Sequence, residues 1–458
     1  EKMTPSASQL KALTAINTLA NFCANLSFNT LDNGTLNTAK ACLIDAIGCA
    51  IHGSKMPWSK IILSMVEQDG PCKLPGITGI GYSIRDAALA YGACAHAFEL
   101  DNLRKPGAGV HPGATVAIPA LMMAQTVNAN FGELLRAITI GCEVQFRIGA
   151  ATLHTPEKIG FHAPGITGPF GAAAACGALL NFNALQFANA FGICGSMAAG
   201  LLAFAKTDQG GMVKRLHLGR AAESGVTATL LAHQGFEGPH SALEGKFGVL
   251  ESYAESFDAR LLTKDLGVDF ETKRICFKSF ACHITAHAPV QLLQMLLTQH
   301  GYDGAAIKEI TIYGSEKMIS HHNIQEPSDP LMAQYSIPYA VASAAFNDPF
   351  DPDTFGAIET HGDAVRQLSR NTTVKLRWIS NKPSTGWGVE MRIKFHDGFI
   401  ANGELDIFDG CPEKPLSHEA FKHKFSNMTR HLGSANSSEL FKRLNQLDMD
   451  EKISMFFG

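Results

Sequence analysis

Charge is scarce in this chain: 17% of its 458 residues are Asp, Glu, Lys or Arg, against 46% apolar, and the formal net charge is -4. That balance belongs to a compact globular protein and excludes a basic nucleic-acid binder, so any cationic site has to be local. No two of the 11 cysteines form a C-x-x-C pair, and they are scattered from Cys23 to Cys411. This pattern argues against a disulfide framework and for reduced thiols packed as small hydrophobes in a cytoplasmic protein. An H-E-x-x-H motif and a cysteine triplet of iron-sulfur spacing are also missing. His283 and His287 stand four apart near Cys276 and Cys282 and could share a helix face toward zinc, but without such a motif no metal is expected. The glycines of residues 76–81 fall in the wrong order for a dinucleotide fingerprint, and no cofactor is expected. Uninterrupted apolar runs are lacking too. Residues 169–206 are broken by Asn181, Asn183, Gln186 and Asn189, so they read as packed helices and no membrane span is expected. The first residues show no basic region followed by an apolar run, hence no expected signal peptide.

What is present is helical periodicity. From about residue 8 to 267, apolar residues recur at three- and four-residue spacing, as in residues 36–51, 86–99, 114–127, 131–148, 171–180, 184–195 and 219–233. The Ala and Gly of the later segments imply close interhelical approach. After Phe270 the texture changes. Residues 307–313 and 389–395 alternate as half-buried strands do, and His396-Asp397-Gly398 turns the latter toward a further strand over 399–407. Helical patterns intervene at residues 283–300, 337–346 and 364–368, and helix returns after Pro415, where Ser417 offers a cap. The expected fold is mainly α: a large, discontinuous all-helical domain over residues 1–270 and 410–458, and a smaller α+β lid domain over 271–409.

Five polar clusters sit where apolar helices break. Residues 213–222 place Lys214, Arg215 and His217 at the mouth of a small-residue helix, where free backbone N–H groups and the positive dipole end already favour a carboxylate. Glu99-Leu100-Asp101 closes one helix while His111 precedes the next, and His162 stands ahead of a Gly-rich helix start. Lys278 and His283 flank the domain junction, with Cys282 between them as filler, and Tyr335-Ser336-Ile337-Pro338-Tyr339 supplies phenols. Imidazoles, ammonium groups and a phenol suit the holding of a polycarboxylate and the moving of a proton. A carbon-bound proton beside a carboxylate is very weakly acidic, so cations and fixed donors must stabilise the charge left by its removal. A Lys or His of shifted pKa then serves as base and its conjugate acid returns a proton.

With these clusters in order, the chain resembles the family of 2-methylcitrate dehydratase, cis-aconitate decarboxylase and iminodisuccinate epimerase, known as MmgE/PrpD. The resemblance spans nearly the whole chain. It rests on Ala46 to Ala50, His96 to Asp101, His111-Pro112, Gly141 to Gln145, Lys214 to Gly219, Lys278 to His283, Tyr335 to Tyr339 and Pro412 to Ser417. It implies a metal-free, cofactor-independent homodimer acting on a small di- or tricarboxylate in a cleft between helical domain and lid. By matching positions it implies Lys214, His111 and Tyr339 as catalytic residues and Asp101, His162, Lys278 and His283 as substrate-binding residues.

One departure steers the expected reaction. Glu99 stands where relatives that dehydrate or decarboxylate carry aspartate, and their Asp-Asp-Thr run reads here Asp101-Asn102-Leu103, followed by Arg104 and Lys105. A changed polar outline points to an epimerase that removes and returns an α-proton on an amino-dicarboxylate of the iminodisuccinate type. The alternatives are a lyase, dehydrating or decarboxylating a tricarboxylate such as 2-methylcitrate or cis-aconitate, and a non-catalytic carboxylate-binding protein.

Overall fold

A computed structural model describes residues 14–454 apart from 78, 80, 207–210, 357 and 359–361. The start of the chain, and Thr78 and Ile80 of the glycine pattern, lie outside the described residues. The chain divides into two compact units. One takes in the residues up to Ala97, Leu103–Ile275 and those from Lys442; the other takes in Phe98–Asn102 and Cys276–Phe441.

The first unit is helical. Its main members are α1 (Asn33–Gly53), α2 (Ile84–Ala95), α3 (Phe131–Ala151), α4 (Ala163–Leu179) and α5 (Val213–His233). Local chemistry starts them: Asp32 caps α1, Ser83 caps α2, and Asn130 with Glu133 forms a capping box on α3. Every residue of α4 is buried. A helix with no solvent face needs neighbours that come close all round, which small residues allow. A Cβ on Gly225 of α5 would lie 2.4 Å from the Pro169 carbonyl oxygen of α4, and one on Gly219 would lie 2.2 Å from the Leu89 carbonyl oxygen of α2. These two glycines let α5 press against both helices and so fix where its first turn, with Lys214 and His217, is held.

A buried ionic knot closes the far end of α3. The Glu143 carboxylate accepts from the backbone N–H of Glu271 (3.1 Å) and Thr272 (2.9 Å), the Thr272 hydroxyl (2.9 Å) and Arg147 (3.3 Å). Burial pushes the Glu143 carboxyl above its ordinary value, with the Arg147 guanidinium and the N–H donors opposing. All eleven cysteines are reduced and buried, and burial drives the Cys72 thiol up to about 11 and the Cys94 thiol to about 12.

The second unit is α+β. A four-stranded sheet is formed by β1 (Ile307–Gly314), β2 (Thr372–Leu376), β3 (Val389–Phe395) and β4 (Ile400–Leu405), in the order β2-β1-β3-β4. The β1–β2 pair is parallel and the other two are antiparallel. Burial alternates along β3 as the sequence pattern requires. The expected hairpin closes with the Phe395 N–H on the Phe399 carbonyl at 3.0 Å and Gly398 at φ 89°. Helix α6 (His287–His300) lies on this sheet, where a Cβ on Gly403 would meet Leu292 at 3.0 Å and Leu296 at 3.1 Å. Helices α7 (Ile337–Phe346) and α8 (His418–Thr429) complete the framework.

The division differs from the sequence expectation in three places. Phe98–Asn102 falls in the α+β unit, the chain leaves the helical unit after Ile275, not Phe270, and α8 clusters with the α+β unit instead of rejoining the helices. The reason is aromatic packing: Phe421 of α8 meets Phe277 with ring centroids 5.7 Å apart, and Phe425 meets Phe441 at 5.3 Å. Among the described residues no helix is long and apolar enough to cross a membrane.

Candidate active site

In the helical unit, four imidazoles gather where helices begin and end. His96 follows the last residue of α2, and His111 precedes a five-residue π-helical segment, Gly113–Ala117, an irregularity often found at functional positions. His162 occupies the N-cap of α4 with no bond from its ring to the helix backbone, and His217 sits in the first turns of α5. Ring centroids are 4.9 Å apart for His96 and His111, 6.3 Å for His96 and His162, and 5.1 Å for His162 and His217. His111 and His162, both expected site residues, are thus brought into one cluster.

Lys214 lies in the first turn of α5, three residues before His217. It is 2% exposed, in a turn with no acidic residue and no capping side chain. The free N–H groups and the positive end of the helix dipole at that place suit a carboxylate. Arg215 beside it is also buried, with its guanidinium 5.7 Å from the Trp58 ring centroid and a 3.4 Å hydrogen bond to the His96 carbonyl.

In the α+β unit the segment Phe98–Asn102 is held from three sides. Gln334 donates to the carbonyls of Phe98 (3.1 Å) and Ala281 (3.0 Å), and Lys424 donates to that of Leu100 (3.0 Å). Lys278 Nζ lies 3.1 Å from both the carbonyl and the carboxylate of Glu99, with both side chains at most 2% exposed. Glu99 adopts φ 54°, a left-handed conformation that strains a residue with a Cβ. Asp101, fully buried, follows two residues later.

His283 hydrogen-bonds the Thr285 hydroxyl through Nδ1 at 2.8 Å and receives the Thr285 N–H there, so its own proton falls on Nε2. Its ring stacks on His322 at 4.1 Å, and His322 in turn donates from Nδ1 to the Tyr335 carbonyl at 2.9 Å. Tyr339 opens α7, with its N–H on the Ser336 hydroxyl at 2.9 Å. Burial raises its phenol above the ordinary value, so it stays protonated at neutral pH and can serve as an acid.

The zinc arrangement weighed in the sequence does not form a shared face. The His283 ring turns to Thr285 and His322, whereas His287 packs against Phe280 and Phe408, with Cys282 Sγ 3.9 Å from its Nδ1. Burial raises the Cys282 thiol to about 12, in keeping with filler and not a nucleophile. Arg104 is likewise committed: it donates to Glu271 at 2.7 Å and to the Pro106 carbonyl at 3.0 Å. Of the two cations in the altered loop, Arg104 is therefore bound within the fold.

His96, His217, His322 and Gln334 were not among the expected site residues. His217, three residues after Lys214 on a helix, and His96, which opens the run to Asp101 that carries the resemblance, had a readable signal; His322 and Gln334 had none beyond their residue type.

Burial is also the main cause that depresses His162 and His287. Neighbouring His96 and His217 add to it for the first, and Lys278 for the second. Both are neutral in the fold, whereas the unfolded imidazoles titrate near pH 6.5. Above that pH they do not disfavour folding. Below it the unfolded chain takes up protons that the fold refuses, and stability falls by up to about 1.4 kcal/mol per pH unit for each group until the depressed folded values are reached. A denaturant midpoint lower at pH 5.5 than at pH 7.5 is the expected result; equal midpoints would show both rings protonated in the fold.

Residues 17–262 match the model of the MmgE/PrpD N-terminal domain, and residues 280–447 that of the MmgE/PrpD C-terminal domain. The chain belongs to the MmgE/PrpD family. Among MmgE/PrpD relatives, a cis-aconitate decarboxylase-like protein of Aspergillus oryzae is 26% identical, covering 96% of each chain. The cis-aconitate decarboxylase of Aspergillus terreus is 25% identical over 94% of this chain and 91% of its own. That of Mus musculus is 26% identical over 91% of this chain and 86% of its own. These relatives are enzymes, and lyases by name; an epimerase is not among them.

Proposed function

We propose that this protein is a lyase that decarboxylates cis-aconitate or a tricarboxylate of the same outline. The observation that carries the reading is nearly end-to-end similarity to cis-aconitate decarboxylases. It is supported by a chain rich in donors suited to carboxylates: buried Lys214 and His162 with half-buried His111 in one unit, buried Lys278 and Tyr339 with half-buried His283 in the other. Loss of carbon dioxide leaves an electron pair on carbon, which the neighbouring double bond delocalises toward a remaining carboxylate, and one proton must then reach carbon. Lys214, His111 and Tyr339 are the proposed proton carriers. His162, Lys278 and His283 are the proposed carboxylate donors, and Asp101 is the fourth proposed substrate-binding residue.

Epimerisation of an amino-dicarboxylate, the expectation drawn from Asp101-Asn102-Leu103, is the less supported branch. The relatives favour the lyase, and Arg104 is engaged by Glu271. The purified protein, offered cis-aconitate, 2-methylcitrate and amino-dicarboxylates, should release carbon dioxide from the first. Exchange of an α-proton on the amino-dicarboxylate with no carbon dioxide from any substrate would move the assignment to the epimerase.

A further inference from the structure

His217 is joined to His162 across 55 residues of sequence by an Nδ1···Nδ1 contact of 2.9 Å. Among the described residues neither ring has another hydrogen-bond partner. The pair is built into the fold. Phe204 packs edge-on against both rings, at 5.3 Å from His162 and 5.7 Å from His217. Gly200, at φ 137°, accepts the His162 N–H on its carbonyl at 3.0 Å, and a Cβ there would stand 3.4 Å from His217 Nδ1.

Two Nδ1 atoms at this distance can hold only one proton between them, because two N–H groups would collide and two lone pairs would repel. Either His162 donates, leaving its Nε2 bare, or His217 donates and the His162 proton moves to Nε2. A carboxylate has no proton to give, so a substrate oxygen at His162 Nε2 selects the second arrangement. The third way to make a donor there, a doubly protonated His162, is opposed by burial and by His96, His217 and His111, with Glu157 alone pulling the other way. Burial and then Lys214 keep His217 neutral as well.

We propose that His217 is a positioning residue: by donating from Nδ1 it holds His162 as the neutral tautomer whose Nε2–H is offered to a substrate carboxylate. This rests on the tricarboxylate reading above for the identity of the anion. The test is ring-nitrogen NMR on the full chain labelled at histidine, with and without cis-aconitate, alongside steady-state kinetics. His217→Phe removes the donor, whereas His217→Asn places an amide N–H near the position of Nδ1. In the wild type with cis-aconitate bound, His162 should be protonated at Nε2 only. In His217→Phe without substrate it should become a tautomer mixture, with KM raised about tenfold and kcat within about twofold, and His217→Asn should bring KM back to within about threefold.

A His162 proton on Nδ1 in the wild-type complex overturns the proposal, as does a folded His217→Phe with unchanged KM and tautomer. So does a folded His217→Asn no better than His217→Phe. Failure of the lyase reading would look different: cis-aconitate shifts the ring signals but releases no carbon dioxide, and the His162 tautomer still decides the role of His217.

Discussion

Replacing Lys214 by Ala is expected to lower carbon dioxide release from cis-aconitate by about 10²- to 10⁴-fold, the range that a positioned acid or base contributes. The case rests on where the ammonium is held. It is 2% exposed in the first turn of α5, with no acidic residue in that turn. The helix dipole adds positive potential at the same place, so the position favours a bound anion. The Gly219 approach to α2 and the Gly225 approach to α4 fix α5 independently of the lysine side chain. Lys214→Ala should therefore keep the far-UV signal of the wild type. Lys214→Met, which keeps the stem and loses the charge, should be about as inactive. Turnover by either variant within a few-fold of wild type would remove Lys214 from the chemistry.

The second large effect is on stability. Glu99→Ala strips the carboxylate from Lys278, whose ammonium is 1% exposed, and leaves a buried charge without its counter-charge. Losses of about 3–5 kcal/mol follow from breaking buried pairs in this way. Denaturant unfolding followed by circular dichroism should show the loss. The double change Glu99→Leu with Lys278→Met should recover part of it, because the orphaned charge is gone. A wild-type midpoint for Glu99→Ala would mean that the pair contributes nothing to folding. The result bears on the role expected of Lys278 from the family: it grips the Glu99 carbonyl and carboxylate, so loss of Lys278 should disturb the placement of Asp101 as well as any substrate contact.

Much of the framework was legible because its signals are local. The period of 3.6 located α1 and α3, alternation located β1 and β3, and Ser417 marked the start of α8 with its hydroxyl accepting the Ala420 N–H at 3.1 Å. Where the reading failed, long-range packing decided. Residues 86–99 read as one helix, yet α2 stops at Ala95, because the following residues are drawn into the other unit by Lys278, Gln334 and Lys424, each far away in sequence. The π-helical turn Gly113–Ala117 has no sequence signature, since Gly, Ala, Thr and Val carry no information on helical pitch. The site was legible as an inventory of imidazoles and ammonium groups. Their pairing was not: the His162–His217 contact depends on the close seating of α5, and the engagement of Arg104 depends on Glu271, 167 residues away.

The thiols have a practical consequence. Each of the eleven is sealed inside the packed interior, and burial raises those of Cys23, Cys142, Cys176 and Cys194 far above the range in which a sulfur ionises in ordinary buffer. Alkylating and oxidising reagents act on ionised sulfur at an accessible surface. The rate at which such a reagent consumes this protein's sulfhydryls therefore measures how often the interior opens, making the molecule its own gauge of breathing without any engineered label.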